Sequence, residues 1–373
     1  MNVLPERLKV LIIVHNIRGG AMASIASRLA EALLLAGAEV VLAHPGAYDV
    51  NPALVPSGTR VINLRTGRVH RSLKAMIHAI RVEQPDWVIT FPTNVNIFGI
   101  LLKFTMQMER RWTSRLLITH THPLREGHEN NWKDNKWVAK FLYRFADASI
   151  AHSPYTRQEA IRWCGLDVNS VATIPPPLPA ISIPQDPEPH PWLTDKAQPT
   201  FVSVGRLSKE KRYPNLVNAF LPLAQSGRAR LLIIGHGPQE FMLREHIERL
   251  GIEGSVKVLG FVDDVFPYLT RAFAFVLASA EEGYGQVIVE AMSASCPVIC
   301  CDAAGGGPRF ITDFGKYADL LPVDDELALT TAMTRMVEDR HHRDHLSRIG
   351  YERSKDFLPA AIGDQLMSFF KNV

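Results

Sequence analysis

Residues 279–299 read Ser-Ala-Glu-Glu-Gly-Tyr-Gly-Gln-Val-Ile-Val-Glu-Ala-Met-Ser-Ala-Ser-Cys-Pro-Val-Ile, and they set the architecture of the rest of the chain. The apolar run 272–278 before them has the length and composition of a buried strand. Gly283 and Gly285 permit a tight turn. From 286 to 294 the spacing is helical, with Val287, Ala291 and Met292 expected to face inward. Pro297 ends the helix and 298–301 begins another strand. A strand, a glycine turn and a helix N-terminus together form an anion site, because free backbone N–H groups and the helix dipole point at one spot. Glu282 in the loop and Glu290 about a turn into the helix add two carboxylates that can accept hydrogen bonds from sugar and ribose hydroxyls. Taken alone, the stretch fits a solvated surface loop equally well.

Working outward, the same alternation of apolar runs, glycine-bearing turns and helical periods fills both halves of the chain. In the first half, strand 9–15 leads through Asn16-Ile-Arg-Gly-Gly20 into helix 21–36 and strand 39–43, a βαβ unit. The turn lacks the G-x-G-x-x-G spacing of a dinucleotide site. Strands 61–64, 87–91, 116–119 and 148–152 follow, with helices 72–82, 94–108, 136–145 and 154–164 between and after them. Residues 175–199 are dense in proline and read as a linker. The pattern resumes with strands at 200–204, 230–234 and 256–259 and helices at 213–225, 239–250 and 265–270. Beyond the opening stretch, helices are expected at 326–338, 344–357 and 360–370. Two α/β domains follow: 1–174, then the linker 175–199, then 200–356, with 357–373 a C-terminal helix packing back on the first domain.

The 373 residues, 46% hydrophobic and 21% charged, describe a globular chain with ample core. No apolar run reaches the ~18–20 residues of a membrane span, and the N-terminus lacks a signal-peptide core. Cys164, Cys296, Cys300 and Cys301 have neither metal nor disulfide spacing, as expected of reduced core thiols in a cytoplasmic protein. The net charge of +3 conceals an asymmetry: 21 Lys+Arg against 13 Asp+Glu up to residue 178, and 20 against 25 thereafter. A basic first half suggests an anionic partner.

In the second half, Val204-Gly-Arg-Leu-Ser-Lys-Glu-Lys211 leaves a strand tip with two cations, Arg206 and Lys211, at the edge where parallel sheets bind ligands. Two cations suffice to neutralise a diphosphate without a divalent metal. Gly235-His-Gly-Pro238 and Gly260-Phe-Val-Asp263 end the next strands. With Glu282-Gly-Tyr-Gly-x4-Glu290-Ala-Met292, Gly307-Pro-Arg-Phe310 and Gly315-Lys-Tyr317, these motifs in this order resemble glycosyltransferase family 4, the retaining, nucleotide-sugar-dependent group. The match covers nearly all of 200–330, while the first half matches more loosely through Gly19-Gly20 and a histidine after a mid-domain strand.

That resemblance implies a GT-B fold, two Rossmann-like domains with parallel sheets facing across a cleft. It also implies transfer of a sugar from a nucleotide donor, a UDP-sugar foremost, to a glycan or lipid-linked acceptor in surface polysaccharide or lipopolysaccharide assembly. Arg206 and Lys211 would stabilise the departing diphosphate, with Gly205, Gly237, Gly283, Tyr284, Gly285 and the N–H groups around Gln286 and Val287 completing the phosphate loops. Glu290 would bind the ribose, Glu282 the donor sugar, and backbone near Val262 the base. Gly19 and Gly20 would let the first-domain loop approach the phosphates. His120 is favoured over His122 as the active-site histidine. No protein nucleophile is implied, since the donor phosphate helps accept the proton, and neither metal nor cofactor is expected. Relatives often carry Glu where this chain has Phe310.

The basic residues of the first half, Arg65, Arg68, Arg71 and Lys74 ahead of Met76, Ile77 and Ile80, then Arg110, Arg111, Arg115, Lys133, Lys136, Lys140 and Arg144, fit an anionic membrane surface on the cytoplasmic side or a solvated cationic face. No nucleic-acid module is present to make that partner attractive. A nucleotide-sugar epimerase on the same fold and a non-catalytic nucleotide-sugar-binding protein remain open alternatives.

Overall fold

The computed structural model describes residues 8–46, 49–121, 133–179, 189–195 and 197–373. The chain divides into two compact units, one ending at Leu178 and resuming at Phe357, the other running from Pro179 to Asp356. The first unit contains β1 (Lys9–Ile13), α1 (Ala21–Leu35), β2 (Glu39–His44), β3 (Arg60–Asn63), α2 (Leu73–Glu83), β4 (Trp87–Thr90) and α3 (Thr93–Met108). It continues through β5 (Arg115–His120), α4 (Lys133–Leu142), β6 (Ala148–Ala151), α5 (Pro154–Cys164) and β7 (Val171–Thr173). The strands form one parallel sheet in the order β3-β2-β1-β4-β5-β6-β7.

The second unit contains β8 (Thr200–Val204), α6 (Tyr213–Gln225), β9 (Arg230–Ile234), α7 (Glu240–Arg249), β10 (Val256–Gly260), α8 (Phe266–Leu269), β11 (Ala274–Leu277) and α9 (Gln286–Ser293). β12 (Val298–Cys301), α10 (Gly307–Ile311), β13 (Asp319–Leu321), α11 (Glu326–Glu338) and α12 (Arg340–Ser354) complete it. Its parallel sheet runs β10-β9-β8-β11-β12-β13. Both orders are those of a doubly wound α/β sheet, with the reversal of strand order beside the first strand of each.

Both faces of each sheet are covered, which is why the strands are continuously apolar rather than alternating. In the first unit Val10, Ile12, Leu42 and Ile89 pack under α1, while Leu11, Ile13, Val88 and Ile118 pack under α2 to α5. The last helix, α13 (Pro359–Asn372), belongs to this unit. Its Ile362, Leu366 and Phe370, four residues apart, join the α1 core, and Phe370 stacks on Trp87 at 4.6 Å. Gly363 permits the close approach, because a Cβ there would collide with the Ala32 carbonyl of α1.

Several details depart from the sequence reading. β7, β13 and α10 were not anticipated: elements of three to five residues are too short to show a period. α12 starts at Arg340, with Asp339 capping the His342 N–H at 2.9 Å, where the sequence placed the start at 344. Its first turn, Arg-His-His-Arg, has no apolar side to reveal it. Within α9 Val287 is only half-buried, and Ile288 and Val289 are wholly enclosed beside Ala291 and Met292. On α2, Met76 and Ile80 are enclosed in the core, so they are not available to a membrane. Residues 191–193 of the proline-rich segment form a 3-10 turn whose Trp192 lies beneath Arg230 and Lys257 in the second unit. All four cysteines are unpaired and buried, and burial pushes the Cys164 and Cys301 thiols up to about 12. Among the described residues no helix is long and apolar enough to cross a membrane.

Candidate functional site

In the second unit, β8 and β11 are neighbours at the reversal of strand order, so the loops leaving their carboxyl ends flank the crevice where α/β sheets take ligands. The five strand-end loops are tied to one another through backbone. Gly205 N–H donates to Ile234 (2.9 Å), Leu207 to His236 (3.1 Å) and Gly235 to Gly260 (2.8 Å). On the other side Ala280 donates to Glu210 (2.7 Å), Ala304 to Ala280 (2.8 Å) and Glu282 to Ala304 (2.7 Å). The bonds run across the sheet edge in the spatial order of the strands, so each loop fixes its neighbour.

Glycine makes this lacing possible. Gly235 sits at φ +147°, and a Cβ there would overlap the Gly205 carbonyl. A Cβ on Gly237 would overlap the Leu207 backbone, and one on Gly307 the Tyr284 carbonyl. Gly235 and Gly237 therefore let the loop after β9 lie directly against the backbone of the loop after β8.

Two of the expected site residues meet directly. Lys211 Nζ lies 2.7 and 2.9 Å from the two carboxylate oxygens of Glu282, although 71 residues separate them in sequence. Both side chains are 14% exposed, so the pair is partly desolvated and its charges are mutually neutralised. Arg206 is exposed, and its guanidinium has no hydrogen-bond or ion-pair partner among the described residues. The cradle thus holds one neutralised cation and one available cation.

α9 begins immediately after this pair. Its N-cap is Gly285 at φ +92°, with no side-chain cap, so the first N–H groups, of Gln286 and Val287, are left for a ligand. The Gln286 amide has no solvent-accessible surface and no hydrogen-bond partner among the described residues. The sequence alone points only to the backbone of Gln286. A polar residue at the first helical position of an otherwise apolar segment was the available signal. Glu290 is half-buried in the second turn, and Val262 is half-buried in the loop after β10. Phe310, on α10, carries the Arg353 guanidinium over its ring at 5.9 Å, and Arg353 also donates to the Phe310 carbonyl at 3.1 Å. The aromatic therefore has a packing partner within its own unit.

In the first unit, Gly20 is the N-cap of α1 at φ +88° with no side-chain cap. Asn16 Oδ1 accepts from the Arg18 N–H at 3.0 Å and shapes the turn before it. A Cβ on Gly19 or Gly20 would meet nothing within 4 Å. His120 ends β5 and is 2% exposed, its ring edge-on to Tyr143 at 5.3 Å. Neither ring nitrogen has a partner among the described residues, and burial lowers its pKa to about 4, so the ring is neutral at pH 7. His122 lies outside the described residues.

Beneath His120 is a polar knot that the sequence did not disclose. Thr90 donates to Asn96 (2.7 Å), and Asn96 donates to the Thr119 carbonyl (2.8 Å) and to Tyr143 Oη (3.2 Å). Asn96 is fully enclosed, and its bonds pin the ends of β4 and β5. Among the described residues no group of three His, Cys, Asp or Glu side chains is placed to hold a metal ion.

Comparison with known proteins converges on this architecture. Residues 185–353 match the family described as Glycosyl transferases group 1, and residues 20–177 match the Glycosyl transferase 4-like domain. Among curated proteins, the chain is 27% identical over 243 residues to the N-acetylgalactosamine-N,N'-diacetylbacillosaminyl-diphospho-undecaprenol 4-alpha-N-acetylgalactosaminyltransferase of Campylobacter jejuni, covering 65% of each chain. It is 27% identical over 234 residues to the O-antigen chain mannosyltransferase B of Escherichia coli, covering 60% of each. The chain thus spans less than two thirds of the length of these relatives. Among solved structures, Anabaena HepE in complex with UDP superposes with a TM-score of 0.78 at 17% identity, over 98% of this chain and 100% of that one. WaaG, a glycosyltransferase involved in lipopolysaccharide biosynthesis, superposes with a TM-score of 0.70 at 12% identity, over 98% and 100%.

Proposed function

Because the chain belongs to the GT-B glycosyltransferases of the group 1 and family-4-like type, we propose that it transfers a sugar from a nucleotide donor to a surface-glycan acceptor, with retention of anomeric configuration. The observation that carries this reading is the cradle itself: Arg206 and the Lys211–Glu282 pair at the uncapped start of α9, held by loops that are mutually fixed. A nucleoside-diphosphate sugar suits it. Its phosphates match the free N–H groups and the guanidinium, and the hydroxyls of its two sugars match Glu282 and Glu290.

The chemistry required of the protein is electrostatic. As the bond between the anomeric carbon and the diphosphate breaks, negative charge grows on the leaving phosphate. Donors already in place stabilise that charge without reorganising. Arg206 is available at once. Lys211 exchanges part of its contact with Glu282 for the phosphate, and this frees the carboxylate to accept from a donor-sugar hydroxyl. The acceptor proton passes to the departing phosphate oxygen on the same face, so no protein base is assigned. Neutral His120, or His122 beyond the described segment, is assigned to orient the donor sugar.

UDP is the favoured nucleotide, since HepE was captured with UDP and with UDP-glucose. The test is a thermal-shift series with UDP-, GDP- and ADP-sugars, followed by turnover with and without acceptor glycans and an NMR assignment of the product anomer. Free donor at a hundredfold over its dissociation constant stabilises the fold by about 2.7 kcal/mol. Stabilisation by UDP-sugars and an acceptor-dependent product of retained configuration are expected. An epimerised sugar released without acceptor, or an inverted anomer, overturns the reading.

A further inference from the structure

At the foot of the loops that carry Lys211 and Glu282, the second unit buries three hydroxyls with no visible task in the fold. Ser203 on β8, Tyr213 at the start of α6 and Ser279 just past β11 are 1%, 2% and 1% exposed. None of the three side-chain oxygens has a hydrogen-bond partner among the described residues. β8 and β11 are neighbours in the sheet, so these hydroxyls lie along the edge that bears the candidate site. Buried polar atoms are nearly always satisfied, and a group of three that is not calls for a reason.

Tyr213 offers the clearest reason. Its ring belongs to the core with Leu207, Leu216 and Phe220, a place that phenylalanine would fill equally well. The helix start that carries it is fixed by Arg212, at φ +54°, whose guanidinium donates to Asp324 at 2.9 Å. The hydroxyl then faces the bare Cα of Gly205. A Cβ on Gly205 would meet Tyr213 Oη at 3.0 Å, and the Cε and Cδ of Lys211 at 3.6 and 3.8 Å. Glycine therefore leaves the phenol and the lysine stem side by side at one small gap. Lys211 Nζ, one bond beyond that stem, holds Glu282 at 2.7 Å. Burial raises the pKa of the phenol; the Ser203 hydroxyl works against that rise and the Glu282 charge adds to it. Tyr213 is thus a protonated donor without an acceptor, in the field of the carboxylate that Lys211 occupies.

We propose that Tyr213 is a positioning residue whose hydroxyl is the reserve partner of Glu282, donating to the carboxylate when Lys211 leaves it. While Lys211 holds Glu282, the hydroxyl stays unpaired. When Lys211 turns to an anion in the crevice, it leaves behind a carboxylate that is only partly solvated and has lost its counter-charge. A hydrogen bond from the phenol to that carboxylate is of the strong, charge-assisted kind. It keeps Glu282 in place to accept from a sugar hydroxyl, so the lysine can serve the phosphate without the carboxylate following it. The part played during transfer rests on the transfer reading; the exchange of partners on Glu282 does not.

The experiment is a thermal-unfolding cycle of the full chain without ligand: wild type, Tyr213→Phe, Lys211→Ala and the double variant. Tyr213→Phe alone is expected to leave the melting temperature within about 1 °C of wild type or to raise it, since it removes a buried hydroxyl that has no partner. In the Lys211→Ala background the same change is expected to lower the melting temperature by about 2–4 °C, because the phenol is then the partner of Glu282. Lys211→Met, which keeps the stem, replaces the alanine background if that variant fails to fold. Equal shifts in the two backgrounds would overturn the proposal. In the transfer assay, Tyr213→Phe is expected to lower kcat about tenfold and leave the donor KM within about twofold, a split that a packing role would not produce. Coupled shifts with an unchanged kcat would overturn its part in transfer. A wild type that turns over no donor refutes the transfer reading instead, and the ligand-free cycle still decides the exchange of partners.

Discussion

The two units have the same kind of sheet but differ in the space around the glycines of their candidate ligand loops. In the second unit, glycines at 235, 237 and 307 stand where no side chain fits, and backbone bonds run from loop to loop across the edge. In the first unit, Gly19 and Gly20 face open space, and a Cβ on either would touch nothing. Backbone bonds tie strand-end loops in both units, Asn51 N–H to the Ile17 carbonyl among them, but only the loop ahead of α1 keeps open space at its paired glycines. Under the proposed transfer, preorganisation would suit the half that meets developing charge, since donors that need not move cost no reorganisation. Under the proposed transfer, room would suit the half that admits the acceptor.

The most severe test of this difference exchanges a single hydrogen for a methyl group on each side. Gly235→Ala must push the β9 loop off the Gly205 carbonyl and strain a backbone at φ +147°. It is expected to cost about 4 kcal/mol or more and to abolish nucleotide-sugar stabilisation. Gly19→Ala, which meets nothing, is expected to stay within about 0.5 kcal/mol of wild type. Urea denaturation of the two variants reads both numbers. Equal destabilisation would erase the contrast between the edges.

Within the preassembled edge, the two cations are predicted to behave differently. Arg206→Ala removes an exposed group without a partner among the described residues, so turnover falls about 100–1000-fold while stability hardly changes. Lys211→Ala lowers turnover comparably and also strands the Glu282 carboxylate, 14% exposed, at a cost of about 1–3 kcal/mol. Adding Glu282→Gln to Lys211→Ala is expected to recover part of that stability and none of the turnover. A turnover rate unchanged by either alanine would remove the diphosphate role.

The first unit has its own measurable signature in His120. Free histidine titrates near 6.5, whereas this buried ring titrates at about 4. Below pH 6.5 the unfolded chain binds a proton that the folded chain refuses. Stability is thus complete above 6.5 and declines as pH falls towards 4. The loss is about 3 kcal/mol at most, and it should appear as a difference between wild type and His120→Leu in urea titrations at pH 7 and pH 4. Parallel pH dependence of the two proteins would mean the ring is reached by solvent. Comparing His120→Leu with His122→Leu in the transfer assay then decides which histidine serves the donor.

Much of this edge was legible in sequence because glycines, prolines and charges at strand ends are local signals. Gly205, Gly237, Arg206, Lys211, Glu282 and the start of α9 at Gln286 all announced themselves by position relative to apolar runs. The Lys211–Glu282 bond did not, since it joins residues 71 apart, and neither did the Asn96 knot, whose partners come from β4, β5 and the turn after α4. Burial was the other blind spot. The apolar face of α2 and the outward face of α4 look alike as strings, each mixing aliphatic or aromatic residues with Lys and Arg. Only packing shows that Met76 and Ile80 are consumed by the core while Trp137 and Phe141 are not.

The smallest predicted effect is also the sharpest probe of preorganisation, because its two readouts should move in opposite directions. The Gln286 amide is enclosed at the head of α9 and unmatched among the described residues, an arrangement that costs a folded protein about 1–3 kcal/mol when nothing compensates. Gln286→Met keeps the length of the side chain and removes the amide. If the amide is held in reserve for the donor, the variant should be more stable than wild type by up to about 1 kcal/mol in urea and bind the nucleotide-sugar about tenfold more weakly by calorimetry. A residue that merely packs would lose stability and leave binding untouched. Rising stability with falling affinity is what a site pays when polar groups are set in place for a ligand instead of for the fold, and His120, buried at the end of β5 with neither ring nitrogen partnered among the described residues, is the counterpart in the first unit.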